Sequence, residues 1–329
     1  MRPTNSGITT RPCVAVQSSA TGAGFAGVSR GVASPATSVS ALVGSRRVMD
    51  FVTLTKPRVV LMIVVTTAVA YHLGSVGRPD WVHALHTLVG TALAAAGTLG
   101  LNQFLERERD ALMRRTQDRP IPSGRLAPSE ALGFSALVAS VGLGYLAVAV
   151  GLVAATVTLV TASLYLGAYT PLKRVTPLCT LVGAIPGALP PVTGWVAARG
   201  ELGLGAGVLF AILFCWQIPH TLAIARLYRE DYARAEIRVL PVVDPEGGST
   251  ERQIVVGCLA LWMVALVPTV VTLTGWGYFF GALVLGATFL ACGVAHARRP
   301  SRASARRVVL ASVLYLPLLL ALMALNKAG

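Results

Sequence analysis

Nine long blocks of apolar residues dominate the chain and restrict what it can fold into. A membrane-spanning helix needs about 20 such residues, whereas a soluble all-α protein with buried helices would carry about a quarter charged residues. Here only 13% of the 329 residues are charged and 54% are hydrophobic. We therefore predict an all-α polytopic membrane protein with nine transmembrane helices. The predicted spans are Arg58–Leu73, Trp81–Leu105, Ser129–Val148, Leu152–Thr170, Leu178–Ala198, Leu202–Leu227, Gln253–Thr274, Trp276–His296 and Val308–Leu325.

The basic residues predict how these spans are oriented. If the N-terminus is cytoplasmic, only three of the 28 Lys and Arg residues (Arg78, Arg199 and Lys327) lie outside. The other 25 lie at the cytoplasmic side, where membrane proteins concentrate Lys and Arg. We therefore predict a cytoplasmic N-terminus, and we ascribe the net charge of +14 to topology and anionic lipid, not to nucleic-acid binding.

Residues 1–48 are predicted to form a disordered N-terminal tail. They are rich in Ser, Gly, Ala and Thr, with five Arg and no acidic residue. The tail lacks the continuous apolar core of a secretory signal peptide, so we do not expect it to be one. Gly and Pro interrupt any amphipathic helix, which favours disorder over the alternative of an organelle transit peptide.

The acidic residues gather in two segments on the predicted cytoplasmic side. Ten of the 14 lie there, between helices 2 and 3 or between helices 6 and 7. Any chemistry is therefore expected at these two segments. Their acidic residues are Glu106, Glu108, Asp110 and Asp118 in the first and Glu230, Asp231, Glu236, Asp244, Glu246 and Glu251 in the second.

The first segment has the spacing of a magnesium site. Asn102, Glu106 and Asp110 stand at i, i+4 and i+8, on one face of a helix continuing beyond the membrane. Mg²⁺ is usually held by one or two carboxylates together with substrate phosphates. Arg115 and Arg119 follow, and their forked donors fit phosphate oxygens. The alternative is a run of salt bridges at a helix end, formed with Arg107, Arg109 and Arg114.

The second segment places polar groups inside an apolar helix. Gln217 and His220 lie within helix 6, where polar residues are costly and usually face a cavity or a partner. Pro219 is predicted to break the hydrogen-bond ladder of this helix and to widen a pocket at that depth. Asp231 lies just beyond the span and is predicted to meet Asp110. For His220 alone, a packing or hydrogen-bonding role is the alternative.

A third stretch lies between the two acidic segments. Lys173 and Arg174 form the only charged pair in a short cytoplasmic loop, where they either anchor the topology or close over a diphosphate. Helix 5 follows and is rich in Gly and Pro. Irregular backbone at membrane depth is tolerated only against protein or a cavity, so this helix is predicted to line the chamber, although close helix packing through glycine can act as well.

These stretches resemble the UbiA-type intramembrane prenyltransferases. The likeness covers roughly residues 51–325, so 49–329 is predicted to be a UbiA-like transmembrane domain. The M-x-R-T-x-x-R-P ending from Met113 to Pro120 is similar to that of the haem-prenylating members. The matching segments are LTKPR at 54–58, NQFLERERDALMRRTQDRP at 102–120, YTPLKRVTP at 169–177, GALPPVTGW at 187–195, WQIPH at 216–220 and DYARAEIRVLPVV at 231–243.

The resemblance implies transfer of a farnesyl group from Mg²⁺-bound farnesyl diphosphate to a vinyl group of haem B, giving haem O. It implies a multi-pass protein of the inner membrane with its site facing the cytoplasm, and handover to haem-copper oxidase assembly or haem A synthase. The implied catalytic metal ligands are Asn102, Glu106, Asp110 and Asp231. The implied substrate-binding residues are Lys56, Arg58, Arg115, Arg119, Lys173, Arg174, Gln217 and His220.

Two departures from the family pattern bear on the metal. Glu106 stands where many relatives have Asp, and Ala235 stands where a second Asp would complete a DxxxD motif with Asp231. The second motif therefore supplies one carboxylate. Two alternative functions stay open: prenylation of an aromatic or quinone precursor such as 4-hydroxybenzoate, and transport, which the one-sided charges and the lack of an inverted repeat disfavour.

Overall fold

The computed structural model describes residues 46–246 and 248–328. Within these ranges the protein is helical, and nine helices are long and apolar enough to cross a membrane, which confirms the predicted fold class. A short helix at 46–54 precedes them, and the rest of the predicted tail lies outside the described residues. The spans are α1 (Pro57–Gly74), α2 (Trp81–Asp110), α3 (Pro128–Ala149), α4 (Leu152–Leu172), α5 (Cys179–Arg199), α6 (Leu204–Leu227), α7 (Gly248–Val270), α8 (Trp276–Arg298) and α9 (Arg302–Leu325).

Most bounds agree with the sequence within a few residues, and the largest difference has a clear cause. Helix α9 begins six residues earlier than predicted because Ser301 caps it, its Oγ accepting from the Ser304 amide at 3.0 Å. Helix α6 runs past Pro219 without ending. A proline removes one backbone hydrogen bond without ending a helix when its ring has room, and here Gly257 of α7 faces that ring.

The interruptions occur instead in α4 and α5. In α4, residues Leu164–Tyr169 form a π-helical turn, a distortion that is frequent at functional sites. Helix α5 consists of two parts, Cys179–Ala188 and Pro190–Arg199, that meet at Leu189. Both interruptions shape the cavities described below.

Close packing of α2 on α3 fixes the helix that carries Asn102, Glu106 and Asp110. A Cβ atom added at Gly97 would lie 2.3 Å from the Ala139 amide nitrogen, and one added at Gly142 would lie 2.2 Å from that of Ala94. Such contact between backbones is possible only through small residues. The end of α2 is therefore held rigidly beside its neighbour.

The loops that follow α2, α4 and α6 meet at one end of the bundle. Met113 packs with Ile237 and Cys179 in a small hydrophobic cluster, and the Arg238 amide donates to the Lys173 carbonyl at 2.9 Å. At the other end, the Lys327 Nζ donates to the carbonyls of His72, in the last turn of α1, and of Ser75, just after that helix. The three loops predicted to share one side of the membrane are thus brought together.

Candidate active site

A polar cavity of about 120 Å³ lies where these three loops meet. Its walls come from the segment before α1, the end of α2 and the loops after α2, α4 and α6. Seven of the predicted site residues line it. They are Lys56, Asn102, Glu106, Asp110, Arg115, Arg119 and Lys173.

Each oxygen-bearing side chain on this face of α2 contacts a cation from a different segment. The cations come from the residue before α1, the loop after α2 and the loop after α4. The contacts join Lys56 Nζ to Asn102 Oδ1 at 3.3 Å, Lys173 Nζ to Glu106 Oε1 at 2.7 Å, and Arg119 Nη1 to Asp110 Oδ2 at 2.6 Å.

These pairings differ from the salt bridges that the alternative interpretation of the α2 end predicted. Glu106 and Asp110 are buried or nearly so, and both pair with residues that line the cavity instead of with the neighbouring arginines. Only Glu108 behaves as the alternative predicted, pairing on the exposed face with Arg107 at 3.1 Å. The inward face of α2 is therefore an ionic cavity wall.

The two lysines of the cavity differ in how firmly they hold a proton. Burial, reinforced by the charge of Arg119, lowers the pKa of Lys56 to about 7. For Lys173, burial also opposes the charged form, but the neighbouring Tyr169 and Glu106 outweigh it and raise its pKa above the ordinary value. Lys173 is therefore a permanent cation, whereas the charge of Lys56 depends on its surroundings.

Two tyrosines of the π-helical turn complete the cavity, and the sequence interpretation missed them. The Tyr165 hydroxyl donates to Asn102 Oδ1 at 3.4 Å. The Tyr169 ring centroid lies 4.3 Å from the Lys173 ammonium. The Thr170 hydroxyl accepts a hydrogen bond from the Asn102 side-chain amide at 3.1 Å, and this bond fixes the orientation of that amide. Tyr169 is the first residue of the matching segment YTPLKRVTP, so that motif contained the signal for it.

A larger apolar pocket of about 450 Å³ adjoins the polar cavity. Three predicted substrate-binding residues, Arg58, Gln217 and His220, line it. Helix α5 contributes Gly183 and Pro186 among others, as expected of a helix that lines the chamber. Four side chains line both spaces and mark the passage between them: Tyr165, Tyr169, Thr180 and Thr221.

Two predicted residues line neither space. Arg174 is exposed. Asp231 is buried on the short helix Arg229–Arg234, where it forms an ion pair with Arg234 one turn further along, and its neighbour Tyr232 faces the cavity instead. Among the described residues no group of three or more His, Cys, Asp and Glu side chains is placed to hold a metal by itself. The structure therefore does not bring Asp231 into the predicted ligand set.

Arg115 connects the loops on either side of the cavity. Its guanidinium lies 5.0 Å from the Tyr228 ring centroid and 4.6 Å from that of Tyr232. Both tyrosines come from the segment that follows α6. The cation therefore joins the loop after α2 to the loop after α6 and is available at the cavity wall.

An ionic cavity that opens into an apolar pocket within a helical membrane bundle defines an intramembrane site for an amphiphile with an anionic head. The UbiA prenyltransferase family model matches residues 63–322, and the chain belongs to this family. The family predicted from the sequence motifs is confirmed.

Several bacterial relatives are similar over most of this chain. Protoheme IX farnesyltransferase of Solibacter usitatus is 47% identical over 85% of this chain and 99% of its own. The protein of the same name from Koribacter versatilis is 43% identical over 84% of this chain and 93% of its own. The protein of this name from Salinibacter ruber is 40% identical over 83% of this chain and 97% of its own.

Solved structures share the fold at low sequence identity. A digeranylgeranylglyceryl phosphate synthase superimposes with a TM-score of 0.71 at 16% identity, covering 85% of this chain and 98% of that one. A UbiA homologue from Archaeoglobus fulgidus, bound to GPP and Mg²⁺, gives a TM-score of 0.59 at 16% identity, covering 83% and 99%.

Proposed function

We propose that this protein transfers a farnesyl group from farnesyl diphosphate to a vinyl group of protoheme IX (haem B), releasing diphosphate and giving haem O once water has added. The names of the relatives agree with the acceptor and donor predicted from the sequence. The observation that carries the proposal is the pair of joined spaces, one ionic and one apolar. Together they suit a diphosphate head with a hydrocarbon tail.

The ionic cavity suits a magnesium diphosphate. Asn102, Glu106 and Asp110 offer hard amide and carboxylate oxygens along one helix face, and Mg²⁺ held by few protein ligands completes its coordination with phosphate and water. When bound, Mg²⁺ would neutralise the charge that develops on the departing diphosphate. Asp231, the predicted fourth ligand, would first have to leave Arg234, so its role stays a prediction.

The chain's own cations would bind the diphosphate oxygens. Lys56, Lys173 and Arg119 are already placed around the oxygen-bearing face of α2, and Arg115 adds a forked donor. Cations fixed where charge develops lower the barrier to C–O cleavage because they need no reorganisation. Arg174, which is exposed, would have to move with its loop to contribute.

The apolar pocket would hold the farnesyl chain and present the acceptor. Its walls are largely hydrocarbon, which keeps water from the allylic cation until the new C–C bond forms. Tyr165 and Tyr169 line the passage where the diphosphate head and the prenyl chain would meet. The ring of each could face the positive charge as it develops.

The decisive experiment is to incubate purified protein with haem B, farnesyl diphosphate and Mg²⁺ and to measure haem O by mass spectrometry. Asp110→Ala should abolish the product, whereas Glu108→Ala, on the exposed face of the same helix end, should retain it. Full activity of Asp110→Ala would remove the metal-site proposal. Prenylation of 4-hydroxybenzoate in place of haem B would contradict the proposal that haem B is the acceptor.

We also propose that the protein lies in the inner membrane with its N-terminus and ionic cavity at the cytoplasmic face, and that it passes its product to haem A synthase or to oxidase assembly. The distribution of Lys and Arg supports this orientation. In a chain without its own cysteines, Arg174→Cys should react with an impermeant thiol reagent only from the cytoplasmic side. Labelling from the opposite side would show that the protein has the opposite orientation in the membrane.

A further inference from the structure

His220 in α6 is held in a fixed orientation by α9. Its Nδ1 lies 2.7 Å from Ser312 Oγ. Trp216, one turn earlier, donates its indole N–H to the Ser312 carbonyl at 2.9 Å, and its ring stacks on the imidazole with centroids 4.6 Å apart and planes 16° from parallel. One face and one nitrogen of the imidazole are thus occupied by neighbouring side chains.

The hydrogen bonds favour one tautomer. The Ser312 hydroxyl lies 2.7 Å from the Val309 carbonyl, which can only accept, and donates its single proton there. With that proton so used, Ser312 Oγ accepts from His220, which places a proton on Nδ1. A neutral imidazole protonated on Nδ1 has its unshared electron pair on Nε2.

This second nitrogen, His220 Nε2, has no hydrogen-bond partner among the described residues, and its side chain lines the apolar pocket of about 450 Å³. An imidazole whose Nδ1–H is bonded to a second group, with its Nε2 left open, is the arrangement by which proteins present histidine to a metal. The pocket otherwise offers mainly hydrocarbon to its occupant.

We infer that His220 Nε2 is an axial ligand of the iron of the haem acceptor, and that Ser312 is the positioning residue that fixes its tautomer. The inference rests on the proposed function, which makes haem the acceptor. Coordination forms one Fe–N bond and moves no proton, because Nε2 is already unprotonated. It holds the porphyrin beside Thr221, which lines both the pocket and the polar cavity.

The test is resonance Raman spectroscopy of ferrous haem bound to the purified protein. The unmodified protein should show an iron–imidazole stretching band. His220→Ala should lose it, bind haem at least tenfold more weakly, and regain the band when imidazole is added. His86→Ala is the matched control, because His86 Nδ1 also contacts a hydroxyl, Tyr145 OH at 2.5 Å, but lines neither space. It should leave band and affinity unchanged.

Two further measurements separate ligation from a purely structural role. Ser312→Ala should shift the band and weaken haem binding by about 10- to 100-fold, the usual effect of removing a group that orients a metal ligand. Iron-free protoporphyrin IX should bind the unmodified protein more weakly than haem does, and His220→Ala should abolish that preference. This comparison uses the same folded variant for both porphyrins.

The outcomes distinguish this inference from the proposed function. If His220→Ala keeps the iron–imidazole band and the preference for haem, the ligation is wrong while farnesyl transfer to haem can still stand. If the unmodified protein makes haem O but shows no iron–imidazole band, the ligation is likewise wrong. If the unmodified protein neither binds haem nor makes haem O, the proposed function itself is wrong.

Discussion

The polar cavity and the apolar pocket are neighbours built on different principles. In the cavity, charges from three chain segments are paired with one another, as Lys173 is with Glu106 and Arg119 is with Asp110. In the pocket, the shape comes from the backbone, through the π-helical turn of α4 and the interruption of α5 at Leu189. The structure of the ionic cavity therefore depends on ion pairs between its own residues. The shape of the apolar pocket depends on where the backbone of α4 and α5 departs from regular α-helical geometry.

The difference separates the expected effects of substitutions. A cavity residue neutralises a buried partner and, in the proposed function, also binds substrate, so its loss should lower both stability and activity. A pocket residue mainly defines space, so its change should alter activity with little effect on unfolding. The following experiments test that separation.

The largest effect is expected from Lys173→Met. The substitution leaves the nearly buried Glu106 carboxylate without its ammonium partner at 2.7 Å, which should cost about 3 kcal/mol in the free energy of unfolding. Activity should fall at least about 100-fold, because the proposed function loses a fixed cation for the diphosphate. Thermal unfolding in detergent and haem O formation measure the two effects.

The double substitution Lys173→Met with Glu106→Gln sharpens this test. Removing both charges should recover most of the lost stability but none of the activity. Glu108→Gln serves as the control, because its pair with Arg107 is exposed and should contribute less than about 1 kcal/mol. If the double variant is no more stable than the single one, the cavity charges do not stabilise one another as argued.

A smaller effect, confined to activity, is expected from Gly183→Ala at the passage between the two spaces. A methyl group there would lie 2.5 Å from carbons of the Tyr169 ring, which must move away. Misplacing the ring should lower product formation by about tenfold or more, while alanine within a helix should not lower stability. Gly144→Ala, which meets no atom within 4 Å, is the control. Equal activity of the two variants would show that the passage tolerates a displaced Tyr169.

The smallest effect is expected from Arg115→Leu. Its contacts with Tyr228 and Tyr232 lie near the surface and should contribute about 1 kcal/mol. If this energy is used in binding, the KM for farnesyl diphosphate should rise about fivefold. Arg114→Leu is the matched control, because Arg114 does not line the cavity. A change of KM in both variants alike would indicate a general loss of positive charge instead of a specific contact.

Most of the cavity could be predicted from the sequence because its parts lie in short motifs. The i, i+4, i+8 spacing places Asn102, Glu106 and Asp110 on one face of any α-helix, and the structure confirms that face. The position of Asp231 was harder to predict. The sequence places Asp231 and Tyr232 side by side but does not say which of the two side chains lines the cavity. The local pairing of Asp231 with Arg234 settled that question.

The sequence by itself determined the nine membrane-length helices of the described residues and the face of α2 that carries the oxygen-bearing side chains. These follow from hydrophobic length and helical period, which are local properties. Tertiary structure alone decided which cation meets which oxygen, that α6 runs past Pro219 without ending, and that Ser312 fixes His220. Those outcomes depend on contacts between residues up to 92 positions apart, and no local pattern encodes them.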